Sequence, residues 1–182
     1  MSSAPARRAD EPVMLDGFEV LDACHRETLL RLGELAELVA RLDGGTPDEA
    51  ARHAAAAIVS FFSTTARQHH EDEEQHVFPA LLAVGNHEVI QAVSRLRQDH
   101  GWLQADWNEI QPQLDALASG QAWVDLDVLR EGAEIFVALS RDHVALEEAF
   151  IYPQARAAMR DPERRAMGRE MAARRRARRG QA

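Results

Sequence analysis

The chain has 182 residues, 46% of them apolar and 28% charged, which excludes a disordered or fibrous protein and is typical of one soluble, cytoplasmic globular domain. A single cysteine, Cys24, excludes an intrachain disulfide, and the sequence has no run of about 18 apolar residues that could cross a membrane. The net charge of −9 combines an acidic body, residues 1–155, which has 11 arginines and 27 acids, with a basic stretch, residues 156–182, which has ten arginines and three acids.

The sequence divides into helical segments, because apolar residues recur at the spacing of a helix face and almost nowhere alternate as in a strand. Residues 1–15 are polar and charged without an apolar stretch, which predicts a disordered tail rather than a secretory signal. The first helix is predicted over residues 16–42, where Asp43-Gly44-Gly45 ends it. The second begins at Thr46-Pro47-Asp48-Glu49, with Thr46 as the cap and Pro47 at the first helical position, and runs to about Phe78.

The remaining segments complete a helical bundle. Pro79 lacks the amide that would bond to Gln75, so it is expected to kink or end the second helix. The third helix is predicted over residues 87–118, and the fourth runs from about residue 125 to Pro153 or a few residues beyond. Together these segments predict an all-α, up-down-up-down four-helix bundle over residues 16–159, followed by an Arg-rich, short C-terminal helix or tail over residues 160–182.

A motif of histidine, glutamate and proline occurs twice, once in the second predicted helix and once in the fourth. His69 and His143 are each followed by glutamates at +4 and +5 and by a proline at +10. His25 lies 44 residues before His69, and His100 lies 43 residues before His143, so the repeat predicts two related helical hairpins. The six candidate metal ligands are His25, His69, Glu73, His100, His143 and Glu147.

The helical spacing predicts which of these side chains converge. Residues four apart on a helix differ by about 40° in direction, so each motif histidine points to the same region as the glutamate at +4. The +5 glutamates, Glu74 and Glu148, are turned by about 140° and are expected to be solvated or to contact the ligands from behind. Counting residues from the turns places the histidines at similar heights, except that His25 and His69 differ by about 9 Å along the bundle axis.

Four imidazoles and two carboxylates inside an apolar core require partners, because desolvating them without partners is costly. An acidic body repels nucleic acid and suits cations, and a pair of metal ions supplies those partners. Each ion takes two imidazole nitrogens, and the two ions share both carboxylates and one solvent-derived oxygen, which leaves one position open for a small molecule. Such donors suit iron or manganese and also accept zinc or copper. The alternative is a buried polar network without metal.

The sequence alone allows two different ligand pairs in the second helix. His70 and Glu74 have the same +4 spacing as His69 and Glu73. We favour His69 with Glu73, because this pair keeps the distance to the following proline equal in the two motifs.

Other residues near the motifs have simpler interpretations. Cys24 points about 100° away from His25 and is predicted to be a small core or interface residue rather than a ligand. Tyr152 follows Glu147 by five residues and either reaches the rim of the site as a hydrogen-bond donor or closes the end of the bundle. The histidines outside the pattern are predicted to lie on the surface, and they are His53, His76 and His87.

The pattern His25, His69-x-x-x-Glu73, His100, His143-x-x-x-Glu147 resembles the hemerythrin-like HHE cation-binding domain family over about residues 16–159. The resemblance implies a non-haem di-iron centre with an oxo or hydroxo bridge inside a four-helix bundle. The chain departs from the oxygen-carrying hemerythrins at Gln104, where those proteins have a second histidine of the third helix, so reversible oxygen carriage is not expected. The ligand set is more similar to that of the repair-of-iron-centres proteins, whose cysteine-bearing N-terminal extension this sequence lacks.

The resemblance implies a metal centre that interacts with dioxygen, nitric oxide or peroxide, in sensing or in protection from oxidative and nitrosative stress. A binding module is favoured over an enzyme, because the sequence shows no positioned acid, base or substrate pocket beyond the metal ligands. The alternatives are a di-iron enzyme that turns over peroxide or nitric oxide, a protein that handles iron or repairs iron centres, and an interaction protein that acts through the arginines between Arg174 and Arg179. A solvated terminus is the simpler interpretation of those arginines, and no membrane or nucleic-acid partner is expected.

Overall fold

A computed structural model of the protein describes residues 16–42, 46–83, 86–121 and 123–179. Every regular element within these ranges is helical, and none of the helices is both long and apolar enough to cross a membrane. The predicted N-terminal tail and the predicted helix stop at residues 43–45 lie outside the described residues.

Four long helices form the bundle, and two of them contain π-helical turns. The first bundle helix is α1 (Gly17–Arg41). The second, residues 49–82, consists of α2 (Glu49–Ser60), π1 (Phe61–Ala66), α3 (Arg67–Asp72), π2 (Glu73–Val77) and α4 (Phe78–Leu82). The third is α5 (His87–Ala118), and the fourth, residues 126–158, consists of α6 (Leu126–Leu146), π3 (Glu147–Ile151) and α7 (Tyr152–Ala158). Consecutive helices pack side by side and the fourth packs on the first, which confirms the predicted bundle.

Acidic side chains cap the first two bundle helices. Asp16 accepts a hydrogen bond from the Glu19 amide at 3.1 Å, and Glu19 accepts one from the Asp16 amide at 2.7 Å, which is a capping box. The second helix begins two residues later than predicted, because Asp48 rather than Thr46 is the cap. The Asp48 carboxylate accepts from the Ala51 amide at 2.7 Å and so satisfies one of the free donors of the first turn.

The prolines of the two motifs lie inside their helices. The residue before Pro79 donates its amide to the carbonyl of Glu73, and the residue before Pro153 donates to the carbonyl of Glu147, in each case five residues earlier. These wider turns accommodate a residue that has no amide donor. The second helix therefore continues through α4, which corrects its predicted end at Phe78.

Two apolar clusters fill the bundle, one towards each end. Leu35, Ile58 and Ile110 belong to one cluster, and Phe18 and Phe78 belong to the other. Along the second, third and fourth bundle helices a buried polar segment separates the residues of the two clusters, and on α1 the buried polar residues His25 and Thr28 lie between Cys24 and Leu32. The fold thus places a polar layer between two apolar layers. A charged group in this polar layer is shielded from water and needs a partner inside the protein.

The C-terminal stretch forms a fifth helix, α8 (Asp161–Arg179), which packs on α1. Met167 and Met171 of α8 are buried in the same apolar cluster as Phe18. A Cβ atom at Gly17 would lie 2.4 Å from Cγ of Met167, so the absence of a side chain at Gly17 allows the two helices to approach this closely.

The arginines of α8 also contact the bundle. Arg174 and Arg175 pair with the buried carboxylate of Asp72 at 2.5 and 3.2 Å, and Arg178 pairs with Glu71 at 2.8 Å. The interpretation of these arginines as a solvated terminus is therefore wrong for Arg174 and Arg175, which are partly buried, whereas Arg176 and Arg178 are exposed. Two buried methionines and the ion pairs of its arginines hold α8 against the bundle. The sequence pattern of this stretch does not by itself strongly predict a helix.

We expect the Met171→Ala substitution to lower the free energy of unfolding by about 2–5 kcal/mol, because it leaves a cavity beneath α8. Urea unfolding followed by circular dichroism measures the change. The Arg169→Ala control removes an exposed side chain of the same helix and should change stability by less than about 0.5 kcal/mol. Equal unfolding midpoints for the two variants would show that α8 does not contribute to the core.

Candidate metal centre

The six predicted ligands lie together at mid-height of the bundle, although they come from four helices. Each is at most 7% exposed. They are His25 on α1, His69 on α3, Glu73 at the start of π2, His100 on α5, His143 on α6 and Glu147 at the start of π3.

The height mismatch expected between His25 and His69 is not observed, since their Nε2 atoms are 3.0 Å apart. Two features of the second helix explain the difference. The helix starts at Glu49, later than predicted, and the wide turn π1 lies between that start and His69. Both features shorten the distance along the bundle axis between the turn before the second helix and His69.

The carboxylate of Glu73 lies between histidines of two different helices. Its Oε1 is 3.4 Å from Nε2 of His69, one helical turn earlier on the same helix. Its Oε2 is 3.5 Å from Nε2 of His100 on α5. Glu73 therefore connects the second and third bundle helices.

The carboxylate of Glu147 has the equivalent position in the other half of the site. Its Oε1 is 3.1 Å from Nε2 of His143, and its Oε2 is 3.1 Å from Nε2 of His25. Each glutamate thus joins the histidine of its own motif to the lone histidine of a neighbouring helix.

The donor atoms group into two sets of four that share both glutamates. Within each set, one donor atom from every residue lies within 4.8 Å of the others. One set is His25, His69, Glu73 and Glu147, and the other is Glu73, His100, His143 and Glu147. Two imidazoles for each set and two shared carboxylates form the arrangement that a pair of bridged metal ions requires.

Several of these buried atoms have no hydrogen-bond partner among the described residues. They are Nε2 of His100 and His143, Oε2 of Glu73 and both carboxylate oxygens of Glu147. A buried polar group without a partner costs about 1–3 kcal/mol, and more when the group is charged. Because the orphaned atoms include both imidazole nitrogens and carboxylate oxygens that face one another, the donor set fits metal cations better than a metal-free polar network.

Glu74 and Glu148 contact the histidines from the outer side. Nδ1 of His100 lies 2.7 Å from the Glu74 carboxylate, and Nδ1 of His25 lies 3.1 Å from that of Glu148. When Nδ1 donates to these carboxylates, the lone pair of Nε2 points to the centre. Both glutamates are about half exposed, so they are solvated and also orient the imidazoles, which combines the two roles expected for them.

The protonation of the site without metal follows from its charges. Burial alone would lower the pKa of His100, but the nearby Glu73 carboxylate and the hydrogen bond with Glu74 raise it from 6.5 to about 9. Burial lowers the pKa of His69 to about 3, despite the attraction of Glu73. Burial would raise the pKa of Glu147, whereas His143 and His25 hold it well below its ordinary value. Protons on imidazoles therefore balance the carboxylates when no cation does so.

We expect metal binding to become tighter as the pH rises from 6 to 8. Metal ions bind neutral imidazole, and His100, whose pKa is about 9 without metal, must lose its proton first. One displaced proton strengthens apparent binding about tenfold for each pH unit below this pKa, or about 100-fold over this range. Calorimetric titration in two buffers of different ionisation enthalpy counts the released protons. Binding that is equally tight at both pH values would contradict the placement of His100 among the ligands.

Two further residues lie against the donor set. The hydroxyl of Tyr152 donates to Oε1 of Glu73 at 2.5 Å and lies 3.1 Å from Nε2 of His25. Of the two interpretations of Tyr152, the structure therefore supports contact with the site. His70, the ligand in the alternative register of the second helix, stacks on His100 with ring centroids 4.1 Å apart.

The other predictions for individual residues have mixed outcomes. Cys24 is buried, and burial raises the pKa of its thiol to about 12, which agrees with a core residue. His53 and His87 are exposed, as predicted. The prediction that His76 lies on the surface is wrong in part, because its Nε2 is 3.1 Å from the guanidinium of Arg174 beneath α8.

A small cavity adjoins the donor set on the side of π1. Its volume is about 40 Å³. Its wall contains His69 and His143 from the candidate centre, His70, and the aromatic side chains of Phe62 and Phe136.

The match to known families agrees with this geometry. Residues 16–155 match the family model of the hemerythrin HHE cation-binding domain, a range that contains all six predicted ligands. Comparison with curated proteins gives no match. The sequence resemblance to this family is confirmed, and the chain belongs to the hemerythrin HHE cation-binding domain family.

Proposed function

We propose that the protein holds two iron ions through His25, His69, Glu73, His100, His143 and Glu147, and that this centre binds dioxygen, nitric oxide or peroxide in sensing or in protection from oxidative and nitrosative stress. The observation that carries the proposal is the pair of donor sets that share Glu73 and Glu147. Membership of a cation-binding family supports it. When bound, the metal pair would supply redox chemistry and a coordination position for a small ligand.

The chemistry of the donors favours iron. Neutral imidazole and carboxylate oxygen are the donors of non-haem iron sites, and no thiolate takes part because the thiol of Cys24 is held protonated. Manganese and zinc can use the same donors, so the metal in the cell must be measured. The side chains themselves orient the site, since Glu74 and Glu148 hold His100 and His25 from behind.

The cavity beside the donor set offers space for a small ligand. A volume of about 40 Å³ corresponds to a few water-sized spheres at roughly 10–15 Å³ each. Phe62 and Phe136 form part of its wall, and so does Ala66, the last residue of π1. A cavity of this volume has room for a diatomic molecule or peroxide.

The first experiment is elemental analysis of the purified chain, followed by titration of the reduced protein with nitric oxide, dioxygen and peroxide. Two irons per chain and a stoichiometric spectral change would support the binding role. Continued consumption of peroxide or nitric oxide over many equivalents would favour the alternative, a di-iron enzyme. Absence of metal after anaerobic incubation with ferrous iron would refute the proposal.

The cavity itself can be tested with Ala66→Leu, which adds side-chain volume to its wall. We expect this variant to keep both metal ions and to bind nitric oxide at least about tenfold more slowly, because overfilling a small cavity blocks access without removing a ligand. Stopped-flow absorbance measures the rate, and elemental analysis provides the control. An unchanged rate would show that ligands reach the centre by another path.

A role through the Arg-rich stretch has less support. Arg174, Arg175 and Arg178 pair with acidic residues of the second bundle helix, so their charge is partly neutralised within the chain. Salt-sensitive binding to nucleic acid that survives metal removal would nevertheless favour that alternative.

A further inference from the structure

The arginines of α8 divide into two groups on different sides of the helix. Those on the inner side pair with acidic residues of the bundle, as Arg174 does with Asp72. Arg165, Arg169 and Arg176 are exposed and take part in no ion pair within the part of the chain that the structure describes. These three residues point in directions that differ by at most about 40°, so they form one stripe on the outer side of α8.

A stripe of alanines lies beside these arginines. Ala166, Ala173 and Ala177 are exposed and follow the arginine stripe around the helix. Their small side chains leave space for a partner, while the planar guanidinium groups are suited to bind carboxylates. We call these three arginines and three alanines the basic face.

Two large apolar side chains border the groove between α5 and α6, which belongs to the other side of the bundle. A Cβ atom at Gly132 of α6 would lie 2.4 Å from Cγ2 of Ile110 of α5, so the two helices pack closely there. Ile135 lies about 60° from Gly132 around α6, and Trp102 lies about 80° from Ile110 around α5, in both cases towards the outer side. Trp102 is 52% exposed and Ile135 is 59% exposed.

Four acidic residues accompany these apolar side chains on the same outer surface. They are Asp106 and Glu109 on α5 and Glu131 and Asp142 on α6. No arginine pairs with any of them among the residues that the structure describes. Burial and repulsion from Glu109 raise the pKa of Asp106, so a cation placed here would relieve this repulsion. We call the four acids, Trp102 and Ile135 the acidic face.

The two faces match in spacing as well as in charge. Arg165 and Arg176 are 11 residues apart, and so are Glu131 and Asp142. Either pair therefore spans about 16 Å along its helix at 1.5 Å per residue. The protruding side chains of the acidic face also find small alanines on the basic face, so the two surfaces are complementary in shape.

We propose that the basic face of one copy docks on the acidic face of a second copy, so that the chain associates head to tail. A second copy is the partner because the chain itself carries both surfaces with the same spacing. Both faces of one copy can be occupied at once, since α8 packs on α1 whereas the acidic face belongs to α5 and α6. The contact uses no metal ligand and goes beyond the proposed function. A small interface rich in charge predicts weak, salt-sensitive association.

Sedimentation velocity of the full chain as purified tests this association at about 0.02 and 0.5 M salt. At the lower salt concentration we expect the mean mass to rise with protein concentration. At the higher salt concentration association should be at least about tenfold weaker, because salt screens pairs of exposed charges.

Two variants each remove one face. The basic-face variant combines Arg165→Ala, Arg169→Ala and Arg176→Ala, and the acidic-face variant combines Trp102→Ala and Ile135→Ala. Each variant by itself should remain a single chain, because aromatic and arginine side chains contribute most to such contacts. An equal mixture should form 1:1 complexes and nothing larger, since each variant retains the face that the other lacks.

The matched control removes the same charge from elsewhere on the surface. It combines three exposed arginines outside the basic face, Arg26→Ala, Arg41→Ala and Arg141→Ala, and should associate as the unmodified chain does. Circular dichroism shows that each variant is folded, and metal content should be the same in all of them.

Three results would overturn the inference. The first is an unmodified chain that remains single at every protein and salt concentration. The second is a control variant that loses association as fully as the basic-face variant, because net charge would then be the cause. The third is a mixture of the two face variants that forms no 1:1 complex, because the two faces would then not meet each other.

Discussion

The Glu147→Gln substitution is expected to empty both metal positions, lowering metal content from about two ions per chain to nearly none. The two carboxylate oxygens of Glu147 face different histidines, His143 and His25, each at 3.1 Å. Glutamine has the same shape but only one acceptor oxygen, and its amide nitrogen does not coordinate. Each ion would therefore lose charge attraction, and one would also lose a ligand atom.

The neighbouring carboxylate provides the control. Glu148 follows Glu147 directly, is about half exposed, and contacts only the outer nitrogen of His25. We expect Glu148→Gln to weaken one position by about 10–100-fold, the usual cost of losing such an outer contact, and to retain both ions when metal is in excess. Glu147→Gln should cost at least about 100-fold at both positions.

Chelator competition and elemental analysis measure these differences, and circular dichroism shows that each variant is folded. A Glu147→Gln protein that keeps two ions with unchanged affinity would exclude Glu147 as a bridging ligand. Equal losses in the two variants would mean that Glu147 acts only as Glu148 does, by orienting an imidazole.

The bundle and its six candidate ligands could be predicted because they depend on spacing within helices. The repeat of His69 with Glu73 and of His143 with Glu147 is visible in the sequence, and a helix fixes the relative directions of residues four apart. Convergence of the two pairs then follows from packing four amphipathic helices around one core. The structure brings these side chains together without help from loops.

The turns π2 and π3 could not be predicted from the periodicity of the helices. A π turn is one residue longer than an α turn, and it is chosen here because the following proline cannot donate a hydrogen bond. Pro79 therefore signalled a local change correctly, but the change is a wider turn rather than the end of the helix. The predicted cap of the second helix was also wrong. Both Thr46 and Asp48 are residue types that can cap a helix, and only the hydrogen bond from the Ala51 amide to Asp48 decides between them.

The positions of α8 and His70 depend on contacts between distant segments. The two buried methionines of α8 meet α1 where Gly17 has no side chain, a match that neither segment shows by itself. His70 lies about 100° around the helix from His69 and reaches the donor set only because His100 lies opposite. Such contacts require the packed structure.

Removing the metal from the folded protein is expected to lower the melting temperature by about 8–16 °C. A ligand at about 1,000 times its dissociation constant stabilises the folded state by about 4 kcal/mol, and each kcal/mol corresponds to about 2–4 °C in a chain of this size. Several buried nitrogen and oxygen atoms of the centre have no hydrogen-bond partner within the described part of the protein, so chelation would take away the metal ion as their partner. Thermal unfolding followed by circular dichroism, before chelation, after it and after restoring ferrous iron, measures the shift and its reversal.

His143→Ala should reduce this response to metal, because it removes one of the two imidazoles of its donor set and leaves the other set intact. The exposed His53 provides the control, and His53→Ala should keep the full shift. A chelator that lowers the melting temperature of His143→Ala as much as that of the unmodified protein would refute the assignment of His143 as a ligand.

The comparison must be made within each variant, with and without metal. His143 is buried, so its replacement also leaves a cavity and lowers stability by packing alone. That loss is present in both metal states and cancels in their difference, whereas the stabilisation by a bound ion appears only in the loaded state. A variant that unfolds at a low temperature yet shows a reduced metal-dependent shift therefore identifies a ligand, and one that unfolds at a low temperature with the full shift identifies a packing residue.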